Sequence, residues 1–117
     1  MRLWPTIIAA AFLATAVVPI QAAPAPVDTD LRCLAVMASL AGNASGEEQN
    51  RLMGGVLYFV GLIEGKAPGI NLPVELKRVS GTMSDSDFEQ ESQRCGQTLV
   101  EQGKQLDAIG QALEPSK

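Results

Sequence analysis

The chain has 117 residues with nine Lys and Arg, thirteen Asp and Glu and no histidine, for a net charge of −4. That length holds one domain at most. The missing imidazole excludes Ser-His-Asp and Cys-His catalysis, imidazole metal ligation and switching near about pH 6. The acidic balance argues against nucleic acid and anionic membrane surfaces as partners.

Met1-Arg2 supplies a short positive start, Ile7 to Val18 is an uncharged apolar run, and Pro19-Ile20-Gln21-Ala22 follows with a helix breaker and small residues. That order predicts a secretory signal peptide over residues 1–22, cut after Ala22. The alternative is an uncleaved anchor, but Leu3 to Ile20 spans eighteen residues, where a membrane helix needs roughly 20. The expectation is a periplasmic or secreted protein with no stable membrane anchor. Cleavage removes Arg2, Trp4 and Phe12, so Tyr58, Phe59 and Phe88 become the only aromatics and the net charge becomes −5.

Residues 23–29 begin Ala-Pro-Ala-Pro-Val and predict a stiff extended leader, with a helical domain over 30–114. The first helix is expected to start near Asp28 to Asp30, whose carboxylates can cap it and suit its dipole. Leu31, Leu34, Met37, Ala38 and Ala41 recur at helical spacing until Gly42. Ser45 with Glu48 predicts a capping box for the second helix. That helix runs to about Glu64 or Gly65, and its apolar residues (Leu52, Met53, Val56, Leu57, Phe59, Val60, Leu62 and Ile63) surround it. It is therefore expected to be the central, most buried helix.

A loop over residues 66–70 contains Pro68-Gly69, and Asn71 caps a short third helix with Pro73 in its first turn. Ser84 with Asp87 opens the last helix, which continues to about Leu113. Leu99, Leu106 and Leu113 recur there every seven residues, interleaved with Cys95, Gln102 and Ile109. This is one apolar seam suited to lie along another helix. The fold class expected is all-α, a small bundle of three to four helices.

A domain this small has a thin core, and the only cysteines, Cys33 and Cys95, are expected to form a disulfide once exported. Within one chain it would close a loop of 63 residues counted inclusively, worth about 4 kcal/mol in the chain-entropy account. Free thiols or a bond between chains are the alternatives. Gly96, Gly103 and Gly110 also recur every seven residues, and Gly54, Gly61 and Gly65 sit on the second helix. Each costs about 1 kcal/mol against alanine inside a helix, so close helix–helix contact at these six glycines is expected, against the alternative that they bend or end helices. Tyr58, Phe59 and Leu62 form the candidate partner surface, because adjacent aromatics on a helix point about 100° apart. Both aromatics lying in the core is the alternative.

Catalytic chemistry is sought and not found. No Cys-x-x-Cys exists, and Ser80, Ser84 and Ser86 have no imidazole to activate them. Asp85, Asp87, Glu89 and Glu91 lack the spacing of a calcium loop and suit a helix N-terminus instead. Asn43-Ala44-Ser45 is a glycosylation sequon only in a eukaryote, and the composition reads as bacterial. The expectation is no enzyme, no metal and no cofactor.

Cys33, the run Tyr58-Phe59-Val60-Gly61 with Gly65, and the late Cys95 together resemble small exported bacterial proteins. The pattern is similar to the loose group around the HdeA-type periplasmic acid-stress chaperones and to disulfide-bonded immunity proteins of secretion systems. More closely it resembles exported proteins sharing the Tyr-Phe-x-Gly-x-x-x-Gly core. The first function expected is a binding or structural protein of the cell envelope with a protein partner or a second copy as its mate. The second, implied by the resemblance, is an acid-activated chaperone loosened as carboxylates titrate near about pH 4. A small hydrolase working through Ser84 is the third.

Overall fold

The computed structural model describes residues 26–115, which form four helices: α1 (Asp28–Asn43), α2 (Gly46–Lys66), α3 (Leu72–Ser80) and α4 (Asp85–Leu113). The expected signal peptide over 1–22 and the first residues of the expected leader lie outside the described residues. Asp28 and Thr29, assigned to the leader, are already helical. Among the described residues there is no strand, and no helix is long and apolar enough to cross a membrane.

The helix starts show how local chemistry sets the boundaries. Ser84 and Asp87 form the expected capping box, with Asp87 N donating to Ser84 Oγ at 3.1 Å and Ser84 N to Asp87 Oδ2 at 2.9 Å. Asn71 Oδ1 accepts from Val74 N at 3.3 Å, as expected, ahead of Pro73. The box expected from Ser45 and Glu48 does not form. Gly46 takes φ +62° directly after Ser45, which turns the backbone so that the hydroxyl bonds no helix-start N–H. The start of α2 is instead tied to the end of α1 by Gln49 Nε2 donating to Ala41 O at 3.1 Å. Nor do Asp28 and Asp30 cap α1; Val27 stands at its N-cap without a side-chain bond, and the two carboxylates pair with cations elsewhere.

The central helix is α1, not α2. Each of the other three packs on α1, and they touch one another at most at isolated points. α1 buries Leu31, Cys33, Leu34, Val36, Met37 and Ala41, while α2 buries only Gly55, Phe59 and Ile63. The apolar circumference of α2 is real, but Met53 and Leu57 stand 42% and 67% exposed on its outer side. A pattern of apolar residues says which faces can be buried. It does not say which helix has neighbours on every side.

Three ion pairs radiate from the first turns of α1. Asp28 Oδ1 takes Arg78 Nη2 of α3 at 2.7 Å, Asp30 Oδ2 takes Lys66 Nζ of α2 at 2.6 Å, and Arg32 Nη1 reaches Glu91 Oε1 of α4 at 3.4 Å. Asp28 first, then Glu75, hold the Arg78 guanidinium even more firmly protonated than usual. The start of α1 is thus joined electrostatically to every other helix.

Candidate interaction surface

Cys33 and Cys95 are bonded to each other within the chain, with Cα atoms 5.4 Å apart and both residues fully buried. The bond fastens the early part of α1 to the middle of α4. Arg94 braces the same place: its Nη2 donates to Thr29 O at 3.1 Å and lies 3.1 Å from Cys33 Sγ, while its Nε donates to Glu91 Oε2 at 2.6 Å. The ligand atoms of Cys33, Glu91 and Cys95 cluster within 4.8 Å. Both sulfurs are committed to the bond, however, and a guanidinium stands where a cation would have to approach.

Past the disulfide the seam of α4 is closed by one further residue. A Cβ placed on Gly55 of α2 would come 2.8 Å from Leu99 Cδ1 and 3.5 Å from Met37 Sδ, so α1, α2 and α4 meet there. This close approach involves a glycine that sequence reasoning passed over. The six glycines expected at helix contacts do not make them. A Cβ on Gly54, Gly61, Gly65, Gly96, Gly103 or Gly110 would meet nothing within 4 Å. None of the six lies where two helices draw close, because α2 and α4 each pack chiefly on α1 and meet one another only near Gly55.

Beyond Leu99 the seam is open. Gln102 and Gly103 are half-buried, and every residue from Lys104 to Pro115 is exposed. Leu106, Ile109 and Leu113, which continue the stripe that buries Cys95 and Leu99, are 66%, 54% and 78% exposed. The reason is length. At about 1.5 Å per residue, α4 reaches about 43 Å and α1 only about 24 Å. No chemistry of the residues distinguishes the covered half from the free one.

The surface proposed around Tyr58 looks different. Phe59 is 1% exposed and belongs to the core, so no partner can reach it. Tyr58 and Leu62 are half-buried and pack against that core, and the Tyr58 ring meets Phe59 edge-on at 5.1 Å and 74°. These side chains are used internally.

No protein-family model, no curated protein and no solved structure matches this chain. Its surface must speak for itself.

Among the described residues, a groove of about 240 Å³ is lined by Ala35, Ser39, Ser80, Met83, Ser84, Asp85 and Phe88. The Ser84 hydroxyl there is spent on the capping box, and no lysine in the lining could activate a serine. The groove offers little chemistry.

Proposed function

We propose that the chain is an exported helical binding protein of the bacterial cell envelope, which offers the free half of α4 to a protein partner. The observation carrying this reading is the run Leu106, Ile109 and Leu113, aligned on one stripe and left in water by the rest of the domain. Scattered apolar residues on a surface need no explanation, but an aligned set marks a place of contact. Export rests on the order of residues in 1–22 and on a buried disulfide of the kind that persists outside the cytoplasm. A photo-crosslinking residue at Leu106 or Ile109 should capture a discrete partner in intact cells. The same residue at Lys104, on the opposite side of α4, should not. Equal adducts from both faces, or none from either, would overturn the reading.

A second reading, the acid-activated chaperone implied by the HdeA-type resemblance, is favoured by the three ion pairs at the start of α1. Each holds a different helix and each needs an ionised carboxylate. In that reading, losing these contacts loosens the helices around the start of α1 while the disulfide still links α1 to α4. Suppression of client aggregation is expected at about pH 2–3 and not at pH 7. Absence of suppression in acid removes this reading.

A further inference from the structure

Resting on the binding role proposed for the free half of α4, we infer that its occupant is a second copy of this chain, laid antiparallel along residues 102–113. Two features fit a copy and set how it lies, and a third sets how strongly it is held.

The first is charge. The positions flanking the seam are Gly96, Gly103 and Gly110 on one side and Thr98, Gln105 and Ala112 on the other. In paired helices these edges choose the mate, with charges there attracting an opposite partner or repelling a like one. Here both edges are uncharged, and Glu101, Lys104 and Asp107 sit away from the seam. An acidic chain can therefore approach its own twin without repulsion at the line of contact, and nothing at the edges would favour a basic partner.

The second is the extent of the open stretch and where it ends. α1 covers the seam as far as Leu99, and the helix stops at Leu113. A parallel twin would have to continue past Leu99 and collide with α1. An antiparallel twin ends where α1 begins, and the two bundles lie at opposite ends of the pair. That arrangement sets Leu106 beside Ile109 of the second copy, and Gln102 beside its Leu113, with both relations repeated by symmetry. The glycine edges then face each other, and the absence of Cβ atoms at Gly103 and Gly110 lets the backbones draw close.

The third is area. Twelve residues of helix give a contact about 18 Å long, too short for a single helix pair to bury the roughly 1,200 Å² of stable complexes. The pair is consequently weak and its population follows concentration.

Sedimentation of the disulfide-intact chain from low micromolar to near-millimolar concentration tests the inference. The mass should rise from one chain toward two. Leu106→Lys and Ile109→Lys should each remain at one chain throughout, with unchanged melting temperature in dilute solution, since neither side chain supports the bundle. Mixing Leu106→Lys with Ile109→Glu should restore pairing, because the antiparallel register sets Lys against Glu and leaves one Leu–Ile layer intact; failure of the mixture to pair overturns that register. A wild-type chain that stays single, or a dimer indifferent to either lysine, overturns the second copy as occupant. If the chain stays single yet Leu106 crosslinks to a different envelope protein, the binding role survives without self-pairing. If it stays single and captures nothing, both fall.

Discussion

The two halves of α4 carry the same seven-residue pattern and meet opposite fates. From Phe88 to Leu99 the stripe lies against α1, is bonded to it through Cys95 and closes on Met37 and Gly55. From Leu106 to Leu113 the same stripe faces water. The contrast teaches that a heptad seam specifies a face and not its cover. The half with a neighbour became core, and the half without one stayed exposed.

The comparison can be broken hardest at the disulfide. Replacing both Cys33 and Cys95 with alanine should cost about 4 kcal/mol, seen as a fall in the urea midpoint, with the same fall on adding reductant to the wild type. A change near zero would mean that packing alone holds the covered half. Next come the contacts just beyond it. Gly55→Leu should overpack the point where three helices meet and cost about 2 kcal/mol, and Leu99→Ala should cost about the same by leaving Met37 and Gly55 uncovered. Equivalent changes in the open half should be mild. Gly103→Ala is expected to raise stability by up to about 1 kcal/mol in dilute solution, and Leu106→Ala to shift it by less than about 0.5 kcal/mol. Loss of stability at Leu106 matching that at Leu99 would erase the distinction between the halves.

The smallest effect sits at the start of the covered half. Hydrogen bonds from the Ser84 backbone N–H and, next, its hydroxyl hold the Asp87 carboxyl below its ordinary value of 3.8. The unfolded chain then binds a proton more readily than the folded one, so this cap stabilises above the ordinary value. Its contribution is lost as pH falls through the lower folded value. Asp87→Asn should flatten the low-pH end of the melting-temperature profile slightly and leave the neutral end lowered by the missing cap. An unchanged profile would place the acid sensitivity elsewhere.

Much of the fold was legible because its signals are local. Ser84 with Asp87 and Asn71 with Pro73 start helices through side chains within three residues, and both work as expected. Ser45 with Glu48 has the same pattern and fails, since Gly46 adopts a left-handed backbone that redirects the hydroxyl. The candidate partner surface was misplaced at Phe59 because periodicity cannot tell a buried aromatic from an exposed one on a helix that is apolar all round. A usable signal for the open face was present: a last helix of 29 residues beside a first of 16 leaves a length that α1 cannot cover.

By itself the sequence determined the all-helical class and, to within a few residues, where the helices start and stop, because spacing, capping chemistry and composition act within a few turns of chain; that Cys33 and Cys95 pair within one chain came from the structure. Tertiary structure alone decided that α1 is the hub, that Gly55 rather than its six fellow glycines admits a neighbour, and that half of α4 is left uncovered. Those outcomes depend on which helices meet and how far each extends. Burial is a property of neighbours, and one-dimensional periodicity does not contain them.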